Sequence, residues 1–265
     1  MSSAATATAT TAANVQDFSG EWWNKIADGF QHGAPLNASG TVLLLILAAA
    51  VAVSVPRGTW RYFGLFVTVV HELGHAFAAL MTGQLVKGIQ LRFDHSGTMS
   101  SVSRGRASGA WSGFWGYPTP AVVGAALIWA ALNGWSGFAL SVSAVLFLVT
   151  LLFIRNVQGV VIAVACAVAS ELLVWYAPPL FIAWFTMAIG IALLVGAVRD
   201  WLNVLSVHTR RRHELPSSDA FILSRRTGVP SALWLTGFAV VIAGSWALAL
   251  AFIGAGRLLV QLPVG

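Results

Sequence analysis

Charge is what this sequence has least of. Only 9% of its 265 residues are Asp, Glu, Lys or Arg, against roughly 25% in a soluble globular domain, so the chain cannot cover itself with a water-facing surface. Cysteine is almost absent as well. The single thiol, Cys166, lies in an apolar run, which excludes an intrachain disulfide and a cysteine metal cluster built by one chain, and reads as a small packing residue. What replaces charge is hydrocarbon: 57% of the residues are hydrophobic and the mean hydropathy is +0.78. Several apolar runs approach the roughly 20 residues that cross a bilayer, and they are continuous, as in helices and unlike the alternating strands of a barrel. A soluble enzyme, a secreted disulfide module and a disordered chain are excluded. The net charge of +6 and pI near 10.4 come from 15 Lys and Arg scattered mostly in short loops between apolar runs. That distribution points to membrane topology and away from nucleic acid.

The expected fold is therefore an all-α polytopic membrane protein. An Ala/Thr/Ser tract from Ser2 to Ala13 reads as a disordered tail. From Phe18 to Phe30, Trp22, Trp23, Ile26 and Phe30 recur at helical spacing, which suits either an amphipathic helix at the membrane interface or a helix packed on the rest of the protein. Residues 1–38 thus form a tail plus interfacial helix, and 39–265 one membrane-embedded domain. About seven spans are expected, at Thr41–Val55, Tyr62–Met81, Pro118–Leu132, Phe138–Ile154, Val157–Tyr176, Leu180–Val198 and Ser231–Ile253. Placing the loop Arg199–Pro230 in the cytoplasm puts the N-terminus there too. Twelve basic residues then lie inside, from Lys25 to Arg226, and three outside, Arg57, Arg61 and Arg257.

Within the second span stands His71-Glu72-Leu73-Gly74-His75. Histidines at i and i+4 project from one face of a helix and can share one Zn²⁺, while Glu72 is displaced so that it can polarise a water held by the metal. Three ionisable residues in five positions of an apolar span are costly, at roughly 2.5 to 3.5 kcal/mol each on insertion scales. The alternative is a pair of buried histidines with Glu72 as counter-ion.

At these residues the chain resembles the site-2 protease family of intramembrane zinc metallopeptidases, in its compact bacterial branch. The resemblance extends from HELGH to Val86-Lys87-Gly88-Ile89-Gln90-Leu91 and Asp94-His95-Ser96-Gly97, similar to the family's β-hairpin after the HExxH helix. It continues through Gly116-Tyr117-Pro118-Thr119-Pro120, Arg155-Asn156-Val157-Gln158-Gly159 and Ser218-Asp219-Ala220. It implies a Zn²⁺ cofactor, a membrane-anchored protein as substrate, and a hairpin that receives the substrate strand by edge pairing, with Gly88, Ile89 and Asn156 in substrate contact. It also implies residence in a bacterial plasma membrane.

A catalytic zinc ordinarily has three protein ligands. The family's Leu-Asp-Gly motif, which supplies the third, is absent. Asp219 is the first candidate, in the Ser-Asp-Ala match, and the competing reading makes it an N-cap for a short helix over Ala220–Arg226. Asp200, His95 and Asn156 are further candidates, while His208 and His213 sit in a basic run that suits anionic headgroups. Zinc is the metal the motif implies, although His and carboxylate donors accept other divalent ions. Two other functions stay open: a non-catalytic relative that binds membrane helices, and a proton or metal-ion transporter using the His/Glu cluster. Monomer and homo-oligomer are both open too.

Overall fold

The computed structural model describes residues 20–103 and 105–261, with side chains to residue 255. The Ala/Thr/Ser tract, Asp17 and Arg104, and the Arg257 side chain, lie outside the described part. A helix α1 covers 20–29 and is followed by α2 (Gly40–Ser54), α3 (Arg57–Met81), β1 (Leu85–Leu91) and β2 (Gly97–Val102). Then come α4 (Arg106–Phe114), α5 (Thr119–Leu132), α6 (Ser136–Thr150), α7 (Val157–Tyr176) and α8 (Pro179–Thr209). A 3₁₀ turn (Arg212–Ser217), α9 (Asp219–Thr227) and α10 (Ser231–Gln261) complete the chain. Proline and glycine set several boundaries. Pro56 precedes α3, Pro178 and Pro179 open α8, and Gly228 ends α9 in the left-handed conformation at φ 81°.

Four helices (α3, α7, α8 and α10) are long and apolar enough to cross a membrane. The pair α4 and α5, bent by 55° at the Trp115–Pro118 break, makes a fifth if taken as one span. The seven expected spans are not supported. At 15 residues each, α2 and α6 are about 22 Å long, short of the roughly 30 Å hydrocarbon core. The expected third span is only the second half of the bent pair.

Contacts at the helix ends sort them into two sets. At one end Gly33 N–H donates to Gly134 O (2.8 Å) and Leu36 N–H to Ala131 O (3.0 Å), while Trp22 and Phe30 of the N-terminal segment meet Trp175 and Phe138 edge-on. The start of α2 therefore shares an end with the close of α5 and α7 and the start of α6. Those α1 contacts also give the 18–30 segment the packed alternative. At the other end Arg199, near the close of α8, donates to Ser54 O (2.9 Å) and Val55 O (2.7 Å) and lies over the Trp60 ring. So α2 runs in the same direction as α8, and α3 starts where α8 finishes. The C-terminus of α3 meets the same end, because Gln84 Nε2 donates to Ser108 O of α4 (2.7 Å), and α4 packs on α9. Although long enough to cross, α3 does not carry the chain from one end to the other. This corrects the expected alternation: α1 lies opposite the 199–230 loop, not on its side. Among the described lysines and arginines, Lys25 alone stands at the α1 end.

The hairpin β1–β2 follows α3, with register Ile89 opposite Met99 and Leu91 opposite Gly97, and a bulge at Lys87. Its β1 edge is already occupied. Ile89 N–H donates to Phe153 O (2.8 Å), Arg155 N–H to Ile89 O (2.9 Å) and Leu91 N–H to Asn156 Oδ1 (3.1 Å), while Asn156 Nδ2 donates to Leu91 O (2.5 Å). Since Ile89 and Leu91 turn their backbone groups away from β2, their partners Met99 and Gly97 turn theirs outward on the opposite edge. That edge faces α3, and it is where the hairpin meets the site.

Candidate metal centre

The i, i+4 spacing brings His71 and His75 onto one face of α3, with their Nε2 atoms 3.1 Å apart. Asp219, the first residue of α9, directs Oδ2 to 3.3 Å from His71 Nε2 and 3.2 Å from His75 Nε2. Among the described residues these three form the one group of His, Cys, Asp or Glu donors that converges as a metal site. A tetrahedral zinc with bonds of about 2.0–2.1 Å separates its ligand atoms by about 3.3–3.4 Å. The observed edges match that within a few tenths of an ångström, and two imidazoles with one carboxylate are a zinc-type donor set. The residues fit the ion.

The surroundings orient the donors. His75 is 7% exposed, and its Nδ1 is 2.7 Å from Ser112 O. A carbonyl only accepts, so Nδ1 carries the proton and Nε2 keeps its lone pair for the centre. Tyr117 meets the His71 ring edge-on at 4.8 Å and stacks on Phe238 at 5.3 Å. Gly116, at the α4–α5 break, passes so close that a Cβ there would collide with both Nε2 atoms, at 2.6 Å from that of His71. Burial alone would raise the Asp219 carboxyl, but the neighbouring His75 and His71 outweigh it and hold the group well below the usual carboxylate range.

Glu72 points to the hairpin. It is 5% exposed and accepts from Met99 N–H on the outward edge of β2. Its Oε2 has no hydrogen-bond partner among the described residues. A Cβ on Gly97 would lie 2.6–2.7 Å from Glu72 Cγ and Cδ, so only glycine lets β2 rest on this carboxylate.

The other candidates are elsewhere. Asp200 on α8 interacts electrostatically with His71, Arg199 and His95 but is outside the converging group. His95, at φ 67° in the hairpin turn, turns its Nε2 to Arg61 O (3.1 Å). Asn156 is spent on Leu91, Ile89 is 2% exposed with its backbone groups taken by Phe153 and Arg155, and Gly88 lies under the Arg155 side chain. Edge pairing through these three has no free backbone at Ile89 or Leu91, and the open edge is that of β2. The start of α9 is capped by Ser218, whose backbone adopts the N-cap position, leaving the Asp219 side chain free for the histidines. His213 meets Glu214 at 3.4 Å. His208 turns inward to Ser218 Oγ (2.8 Å), away from the headgroup role its basic neighbours suggest. Sequence reasoning missed the contacts of Ser112, Met99 and His208, because a backbone carbonyl, a backbone N–H and a loop histidine carry no local pattern.

A family model described as Peptidase M50B-like matches residues 44–249, well over half of the chain. No curated protein and no solved structure matches it.

Proposed function

Because the chain belongs to the peptidase M50B-like family, the site-2 protease family, we propose that it is an intramembrane zinc endopeptidase that hydrolyses a peptide bond in or next to a transmembrane segment of a membrane-anchored protein. The observation that carries this reading is the meeting of Asp219 Oδ2 with both HELGH imidazoles at 3.2–3.3 Å. His71 and His75 Nε2 and Asp219 Oδ2 would hold the ion. Bound zinc supplies Lewis acidity toward a carbonyl oxygen and acidifies water.

The chain's own groups do the rest. Glu72, beside the triad and short of a partner at Oε2, takes the proton of the attacking water and delivers it to the leaving amine nitrogen. Ser112 O keeps the His75 ring in the tautomer that presents Nε2. A substrate helix must unwind before its carbonyl is free, and the extended segment then pairs with the open edge of β2 at Gly97 and Met99, alongside Glu72. Met99 N–H, held by Glu72 in the free protein, becomes available to a substrate carbonyl as the strand arrives. The concentration of basic residues at the site end supports a cytoplasmic position for the site in a plasma membrane.

The test is cleavage of a membrane-anchored reporter in proteoliposomes by the parent and by Glu72→Gln. Hydrolysis is expected from the parent, and a loss of 10²–10⁴-fold in the variant with zinc retained. Equal hydrolysis by both would remove Glu72 from the reaction and with it the metallopeptidase mechanism.

A further inference from the structure

Asp219 is the one donor of the three that is not on the HELGH helix, so its aim depends on what fixes the start of α9. Two contacts do so. On the C-terminal side, Ala220 and Leu223 are fully buried in a cluster with Val204, Leu235 and Phe238, which seats α9 against α8 and α10. On the N-terminal side stands Ser218, which is 4% exposed and has the extended backbone of an N-cap. An N-cap serine ordinarily turns its hydroxyl to the N–H of the second or third helical residue, worth about 1 kcal/mol. Ser218 makes no such bond. Its Oγ instead shares a 2.8 Å hydrogen bond with His208 Nε2, in the last turn of α8. The intervening 3₁₀ turn is braced within itself, by Arg211 and His213 on Glu214, and does not touch the site.

We propose that His208 and Ser218 form a latch across the α8–α9 connection that positions Asp219 as the third zinc ligand. The apolar seat fixes where α9 lies, and the latch fixes the rotation of its first residue, which decides whether Oδ2 reaches both imidazoles. Both are positioning residues, since neither touches the metal position. Hydrogen-bonding partners of this second kind commonly change metal affinity by about 10–100-fold. The inference rests on the zinc reading above.

The test is the zinc dissociation constant of the full chain in detergent, by chelator competition, with the melting temperature of the zinc-free protein measured alongside. Ser218→Ala and His208→Ala are expected each to weaken zinc about 10–100-fold. The double variant should be no weaker than the worse single one, because both remove the same bond. Ser218→Thr and His208→Gln, which keep a hydrogen-bonding group, should restore affinity toward the parent's, and the zinc-free melting temperatures should agree. Unchanged affinity in both alanine variants would overturn the latch. So would additive losses, or a zinc-free melting temperature that falls in step with affinity, since either marks a merely structural role. A parent that takes up no zinc fails differently: it removes the metal reading itself.

Discussion

Adding one methyl group at Gly116 is the sharpest perturbation the geometry offers. The Cβ of Gly116→Ala would lie 2.6 Å from His71 Nε2 and closer still to His75 Nε2, well inside ordinary contact and in the space a zinc at about 2.0–2.1 Å from the same atoms needs. To accept it, the α4–α5 break must move away from α3 or the imidazoles must turn out of line. Overpacking of this kind costs about 1–3 kcal/mol, which corresponds to roughly 5- to 150-fold in a dissociation constant when the cost falls on the bound state. Gly113→Ala is the control. Its Cβ would meet Leu223 Cδ2 at 2.8 Å, in the same region but on a flexible side-chain end remote from the imidazoles. Chelator competition should show weakened zinc for Gly116→Ala and parent-like zinc for Gly113→Ala. Parent-like affinity in Gly116→Ala, or equal weakening in both, would refute the claim that Gly116 clears space for the ion.

Three further outcomes follow from other contacts. Gly97→Ala drives a methyl into the Glu72 carboxylate, so turnover should fall at least tenfold while zinc content stays at the parent's value, as read by elemental analysis beside a reporter assay. Asn156→Ala removes two hydrogen bonds to Leu91 and leaves Leu91 backbone groups unpaired, a loss of about 1–3 kcal/mol; hydrogen exchange should rise in residues 85–102 with no change in zinc affinity. Trp23 and His213 are well exposed at opposite ends, and Gly58 has open space around it at the His213 end. In a Cys166→Ala background, Trp23→Cys should therefore react with an impermeant maleimide from one membrane face and Gly58→Cys and His213→Cys from the other. Labelling of positions 23 and 213 from the same face would contradict the helix directions.

The metal centre was more legible in the sequence than the path of the chain. Three ionisable residues in five positions stand out of an apolar run because each is expensive there, and i, i+4 spacing settles which side chains share a helix face. Asp219 was reachable through the Ser-Asp-Ala resemblance and the scarcity of acidic residues. The directions of α2 and α3 were not reachable. Hydropathy counts apolar runs and assigns alternate directions, but it cannot register that Arg199 ties the α2–α3 turn to the close of α8, or that Gly33 pairs with Gly134. Placing Arg57 and Arg61 beside Arg199 makes the basic bias stronger than the seven-span count allowed. The bend between α4 and α5 was hidden because a short helix rich in Gly and Ser is not an apolar run. Asn156 was noticed for its type and assigned to substrate, whereas its amide completes the β1 edge.

The most direct measurement is the zinc content of the purified chain and of three variants by elemental analysis. The account predicts close to one zinc per chain in the parent and in Glu72→Gln, and loss of the ion in both His71→Ala and Asp219→Ala. A folded parent that holds no zinc after reconstitution, or an Asp219→Ala protein that keeps a full equivalent, would contradict the His71, His75 and Asp219 centre on which the proposed peptidase depends.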